Sequence, residues 1–528
     1  DVERSRGLGD VYKRQMKKIY KSLVFTMATI ALTSCVNDWL DLTPSDSIPS
    51  NSAITNYNDA KTALYGMYDG LQGNSTYTQY YASRMFYYGD VRGDDMQART
   101  QGMRSSSCYE MKYTIDDAPN MWNVQYNVLR RANRLIEAVE NNKITDAEKN
   151  QANVNNIYAQ AKSVRALVHF DLVKVYGMPY SFDNGASMGV PIVTTPIDPL
   201  NANAIPGRNT VAEVYTQIVK DLTEAIDSKA LNVSKSAGDN QGFIDEWAAK
   251  ALLTRVYIYM GKNQEALDMA KNIIENSPYS LWTKAQYANA WDKNNANHIN
   301  EMIFELVNSG SDDWADREGI AYLYHEDGYA DAICTKSFVD MLAQDPSDVR
   351  LDVILPVQLK TDDNGKPTDM YKTYGDNRIF INKFPMGSLG DMRLNNLPIL
   401  RLSEVYLNAA EAAAKLNDKT STAKYLNEII KNRTDDTKQL VTESTATLER
   451  VLLERRKELV GEGQRFFDAM RNNETVTRYT NEDEKGWHYS INKESQVFDR
   501  TYFRTILPIP VSETNANPTL KAQQNPGY

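Results

Sequence analysis

Apolar residues return at helical spacing through much of the chain. In 401–416 the positions Leu402, Val405, Tyr406, Ala409, Ala410, Ala413 and Leu416 form one continuous stripe, which predicts a helix with a single buried face. The pattern continues in 424–433 with Leu426, Ile429 and Ile430. In 448–460 it uses Leu448, Val451, Leu452, Leu459 and Val460, then meets Gly461, a residue suited to a left-handed C-cap. Segments 126–139 and 157–176 read alike, the second ended by Gly177 and Pro179. In 249–278, Leu253, Tyr257, Ala266 and Pro278 fall at the spacing of a tetratricopeptide helix pair. Small residues let two antiparallel helices approach, and the proline closes the second. Paired helices of similar length predict a mainly α fold with a tetratricopeptide-like scaffold.

Four stretches lack this period: 70–114, 177–206, 308–334 and 360–396, all rich in Gly, Asn, Asp and Tyr. They are expected to be long irregular insertions, and a rigid scaffold carrying elaborate loops suits a binding protein.

The beginning of the chain follows another pattern. Residues 1–15 show no useful period and precede Met16, so they read as a misassigned start. Lys17, Lys18 and Lys21 then form a positive n-region and 23–32 an apolar one, followed by Leu32-Thr33-Ser34-Cys35. That order is a secretory signal over 16–34, too short to span a bilayer, which needs about 20 apolar residues. Its last four residues resemble the bacterial lipobox, in which cleavage leaves the cysteine as an acylated N-terminus. Several acyl chains on Cys35 would anchor far better than one. The rest of the chain is therefore expected to be secreted and tethered to a membrane by lipid.

Composition narrows the function. At 528 residues, 42% hydrophobic and 24% charged, the chain is long enough for two to four domains at roughly 100–200 residues each. It is divided here into 35–230 and 231–528, packed as one unit. A net charge of −10 argues against nucleic acid as a partner. The 32 tyrosines against 13 phenylalanines suit half-wet binding faces, although many such rings pack between helices. With Cys35 modified, Cys108 and Cys334 are expected as buried thiols, their pairing left open.

Catalytic signals are weak. Gly185-Ala186-Ser187-Met188-Gly189 matches a nucleophile elbow, but a loop precedes it and Pro191 opposes the helix that must follow. His169, His298, His325 and His488 lack metal-ligand spacing, and His169 reads as a packed residue. Asp362-Asp363-Asn364-Gly365 reads as a turn rather than a calcium loop, and Asp312-Asp313 carries no fuller ligand set. No catalytic residue, cofactor or metal is expected.

Three groups of residues, taken in order, resemble the SusD/RagB family of nutrient-uptake outer-membrane lipoproteins. The first is Leu397-Pro398-Ile399-Leu400-Arg401-Leu402-Ser403-Glu404 with Ala410-Glu411-Ala412. The second is Glu454-Arg455-Arg456-Lys457-Glu458-Leu459-Val460-Gly461-Glu462-Gly463-Gln464-Arg465-Phe466-Phe467-Asp468 with Arg471. The third is Leu507-Pro508-Ile509-Pro510, Asn517-Pro518 and Gln524-Asn525-Pro526-Gly527-Tyr528. Looser agreement comes from Trp39-Leu40-Asp41, Trp122 ahead of Arg131-Ala132-Asn133, and Arg165-Ala166. The resemblance implies helix pairs under a loop-rich face, a location at the outer membrane of a Gram-negative cell facing the cell surface, a SusC-like TonB-dependent transporter as partner, and an oligosaccharide or a peptide as ligand. Physically, Arg455, Glu458 and Arg465 read as helix-end pairing residues, and Gly461 and Gly463 as the reversal between two helices.

A glycan site needs exposed rings beside Asp, Asn, Gln or Arg. Two loops offer that mixture. One holds Tyr87, Tyr88, Asp90, Arg92, Asp94, Asp95, Gln97 and Arg99; the other holds Asp312, Asp313, Trp314, Arg317, Tyr322 and Tyr324. Trp314, set among Ser, Gly and Asp, is the leading candidate, whereas Trp122 and Trp247 are expected in the core. A surface glycoside hydrolase is the alternative function, and a purely structural helical-repeat adaptor a third.

Overall fold

The computed structural model describes residues 53–73, 80–99, 104–196, 206–292, 298–308, 318–325, 328–354, 379–384, 391–478, 488 and 491–528. Its main helices are α1 (Tyr57–Gln72), α2 (Arg84–Asp90), α3 (Trp122–Glu140), α4 (Gln151–Tyr176), α5 (Val211–Asp227), α6 (Glu246–Met260) and α7 (Asn263–Asn276). They are followed by α8 (Lys284–Ala290), α9 (Ile320–Tyr324), α10 (Leu402–Lys415), α11 (Lys419–Lys431), α12 (Leu448–Leu459) and α13 (Arg465–Arg471). Residues 54–528 form one unit. No helix among the described residues is long and apolar enough to cross a membrane.

Helix α4 is the axis of the first half. Its second half, from Ala159 to Leu172, is buried all round, because α3 packs on one side and α5 on the other. Charge inside it is matched. Arg165 grips Asp221 of α5 at 2.7 Å and donates to Asn133 of α3 at 3.0 Å. Asp171 accepts from the Tyr80 hydroxyl at 2.8 Å and pairs with Lys174 at 2.9 Å. The imidazole of His169 donates from Nδ1 to the Arg165 carbonyl and accepts the Val193 amide on Nε2, so it is neutral, its pKa pushed down to about 4 by burial. Helix α5 starts at a capping box, with Thr210 accepting the Glu213 amide and Glu213 reaching back to the Thr210 amide at 2.8 Å.

The tetratricopeptide-like pairs are present. Helices α6 and α7 pack antiparallel, joined at Gly261, which ends α6 at φ +71°. Helix α10 packs on α7, α11 and α12, and its row of small residues, Ala409, Ala410, Ala412 and Ala413, is buried at that crossing. Leu416 is the exception to the sequence reading: it caps α10 and is 40% exposed. Trp122 and Trp247 are buried, as their helical setting indicates.

Short antiparallel ladders stitch distant segments. β1 (Met96–Ala98) pairs with β3 (Ala332–Cys334), and β2 (Met302–Leu306) with β4 (Leu397–Arg401), with irregular register between Met302 and Glu305. Cys334 is opposite Met96, and Cys108 and Cys334 are both buried thiols. The stretch 70–114, expected to be irregular, is instead partly helical: α1 runs to Gln72, α2 covers 84–90, and a short turn covers Ser106–Glu110.

Candidate functional site

The resembling motifs build a buried ion network. Glu458, on α12, meets Arg401 at 2.7 Å, Arg433 at 2.9 Å and Arg350 at 3.2 Å, while Glu301 meets Arg401 at 2.8 Å and Arg433 at 3.1 Å. Burial opposes ionisation of Glu458, but the charges of Arg433, Arg401 and Arg350 prevail and hold its carboxyl well below the usual carboxylate range. A second cluster joins Arg455 and Arg471 to Asp468 and Glu411. Side chains that resemble a catalytic list are therefore clamps between helices, as the helix-end reading expects.

On one side of this network is a cavity of about 430 Å³. Trp291 and Asp292 enter it just past α8, His325 just past α9, Asp352 and Val353 from the turn Val349–Asp352, and Asn382 and Phe384 from the segment 379–384. Trp291 packs edge-on against Trp282 at 5.3 Å, and Lys383 and Arg401 lie 5.5 and 5.8 Å from its ring. The rim residues Asn289, Asp292 and Asp352 are exposed. Two buried polar atoms of the lining, Trp291 Nε1 and Asn382 Oδ1, have no hydrogen-bond partner among the described residues. A buried unmatched donor and acceptor are costly unless something satisfies them. An aromatic edge with amide and carboxylate groups around it can meet the mixed faces of a sugar.

The structure sorts the candidates named from sequence. Tyr88 is wholly buried, against Phe466 and Phe467, and Arg92 is stacked between the Tyr88 and Phe466 rings at 4.1 and 4.0 Å. Tyr87 and Asp90 are buried too. Asp94 pairs with Arg465 at 2.6 Å, Asp95 pairs with Arg456, and Gln97 is buried on β1. Tyr324 is buried and donates to Asp90 at 2.9 Å. As folded, Tyr88, Asp95, Gln97 and Tyr324 are buried and Asp94 is half-buried and ion-paired, a correction to the exposed loop that the sequence reading expected. The cause is distance along the chain: their partners on 456–467 are more than 360 residues away from Tyr88 to Asp95, so a segment polar by composition is covered by another. Tyr322 is half-buried with its ring 5.6 Å from Tyr329. Asp312, Asp313, Trp314 and Arg317 lie outside the described residues, as do Cys35 and Asp362 to Gly365. Arg99 is half-buried, its amide donating to the Asp331 carbonyl at 2.8 Å.

Ser187 of the elbow-like sequence is in a loop, hydrogen-bonded to Asp183, and Gly185 before it has φ +79°. No group of three His, Cys, Asp or Glu among the described residues is placed to hold a metal. Of this cavity's lining, Trp291, Asp352, Asn382 and Phe384 are not singled out by the sequence, and His325 enters there only as a histidine without metal-ligand spacing. A signal existed for Trp291: like Trp314 it adjoins a polar run, Asp292 to Asn297.

Comparison with known proteins gives the family. A model described as the SusD family matches residues 221–528, more than half of the chain, and one described as starch-binding associating with outer membrane matches 38–258. A SusD superfamily protein from Bacteroides thetaiotaomicron is 38% identical, with a TM-score of 0.77, covering 89% of this chain and 100% of its own. One from Bacteroides vulgatus is 32% identical, with a TM-score of 0.76 over 90% and 100%. SusD-like protein P25 of Formosa agariphila is 23% identical over 97% of this chain and 100% of its own length. With its helix pairs, its Arg401–Glu458 clamp and these matches along most of its length, the chain belongs to the SusD family.

Proposed function

We propose that this protein captures an oligosaccharide at the cavity beside Trp291 and passes it to a TonB-dependent transporter barrel in the outer membrane. The observation that carries the ligand reading is that one aromatic-edged cavity holds both the Trp291 indole N–H and the Asn382 amide oxygen, each without a partner among the described residues. Support for the ligand class and the location comes from the family description covering 38–258, which names starch binding and the outer membrane. The transporter partner rests on the resemblance alone, and the anchor at Cys35 on the signal pattern of 16–35. Binding, not turnover, is the activity proposed.

The test is calorimetric titration of the purified chain with a panel of neutral oligosaccharides. Asp352→Asn and Asn382→Ala are expected to weaken the binding found by about tenfold or more, since hot-spot contacts of this kind cost about 2 kcal/mol. Asp352 is exposed, so its variant should melt as the parent does. Unchanged affinity in both variants would move the ligand elsewhere. Because Asp292 and Asp352 both line the cavity, the same samples should be assayed for new reducing ends. Their appearance would make the chain a hydrolase. For the anchor, Cys35→Ser is expected to abolish incorporation of labelled fatty acid and release the protein from membranes; undiminished labelling would refute acylation at that residue.

A further inference from the structure

A second cleft, of about 620 Å³, lies beside α3, between that helix and the helical turns Val511–Ala516 and Pro518–Ala522. Its wall is a ladder on one helix face. Trp122 and Tyr126 stand one turn apart with ring centres 4.7 Å from each other. Asn123, Asn127 and Arg130 run beside them as an exposed polar edge. Tyr126 is locked in place by donating its hydroxyl to the Pro191 carbonyl at 2.9 Å. The ladder thus sets the half-buried Tyr126 ring, backed by the buried Trp122, about 6 Å along the helix from a guanidinium, the rise over four residues.

The charge in the cleft is asymmetric. Arg130 donates to Asn127 at 2.9 Å, and no carboxylate among the described residues pairs with it. Burial and the neighbouring charges of Arg134 and Arg131 push its pKa down, so the site is short of negative charge. The one carboxyl of the lining among the described residues, Glu513, is at the Trp122 end, and partial burial raises its pKa. In a chain of net charge −10, a cationic group without a carboxylate partner among the described residues, beside the Tyr126 ring and two amides, fits a ligand that brings its own anion.

We propose that this cleft is a second carbohydrate site, for an oligosaccharide bearing a carboxylate or sulfate, with the sugar face on Tyr126 and the anion on Arg130. This rests on the carbohydrate reading above but uses none of the residues of the first cavity. The probes are a galacturonic acid trimer, a sulfated galactan trisaccharide and neutral galactotriose, titrated into the parent chain, Arg130→Gln, Tyr126→Ala and Asn382→Ala. Either acidic probe should bind the parent about tenfold or more tightly than galactotriose, and Arg130→Gln should lose that margin. Tyr126→Ala should weaken all binding at the cleft, with its melting temperature recorded to exclude unfolding, while Asn382→Ala leaves acidic binding unchanged. Failure of both acidic probes to bind overturns the proposal. So does equal binding by Arg130→Gln, and so does loss of acidic binding in Asn382→Ala, which would assign the acidic sugar to the first cavity. Loss of neutral-sugar binding at the first cavity is a separate outcome and bears only on the earlier reading.

Discussion

Replacing Glu458 by alanine is expected to cost about 3–5 kcal/mol of folding stability, the range for removing one member of a buried ionic cluster. The carboxylate is fully buried and touches three arginines, so the variant leaves Arg401, Arg433 and Arg350 facing one another with less counter-charge. Urea denaturation followed by far-UV circular dichroism measures the loss. A change under about 1 kcal/mol would show that water reaches the cluster and that the pairing resembles a surface bridge. Acid should reproduce part of the effect in the parent. Glu458 and Glu411 both have folded pKa values below the unfolded one, so they bind fewer protons when folded. Their contribution is complete above the unfolded pKa of about 4.3 and is lost as pH falls through the lower folded values. Stability of the parent should therefore fall steeply below pH about 4, and less steeply in Glu458→Ala.

Gly89→Ala is expected to be at least as damaging, by about 4 kcal/mol or more, and to prevent accumulation of folded protein. A Cβ at Gly89 would lie 1.9 Å from the Gly463 carbonyl oxygen and 2.5 Å from its carbonyl carbon. Those are backbone atoms, so no rotamer change relieves the overlap; α2 and the 461–463 loop must separate. They cannot do so cheaply, because the Asp90 carboxylate accepts the Gly463 amide at 3.0 Å and the Tyr324 hydroxyl at 2.9 Å. Gly463 itself has φ +72°, which an L side chain resists. Gly66→Ala is the control. A Cβ there meets nothing within 4 Å, and the site is inside α1, so the change should raise stability by up to about 1 kcal/mol. Equal behaviour of the two alanine variants in thermal melts would show that the α2 contact is loose.

The helices were legible from sequence because their buried faces are written locally, every three or four residues. Leu402, Val405, Ala409 and Ala413 line one face of α10 and are buried there. Gly461 and Gly463 were legible for a similar reason: their positive φ values serve a reversal set by adjacent residues. The surroundings of the candidate site residues were not, because burial at Tyr88 or Asp95 depends on what lies above them. Nothing in Tyr87-Tyr88-Gly89-Asp90 states that Phe466 and Gly463 will cover it. The cavity beside Trp291 is likewise assembled from α8, α9 and segments near 352 and 382, each unremarkable alone.

The contact between α2 and the 456–467 stretch also bears on whether the chain can be divided. The two family matches meet near residues 221–258, which suggests interchangeable modules. Yet, among the described residues, Asp94 and Asp95 pair with Arg465 and Arg456, and Asp90 accepts the Gly463 amide. A first half made alone would carry three carboxyls without those partners beside an uncovered cluster of tyrosines, and a second half would carry the matching arginines. Exchange of halves with a relative therefore has to preserve both sides of this seam at once, so the unit that folds as a whole is the body 54–528 rather than either part.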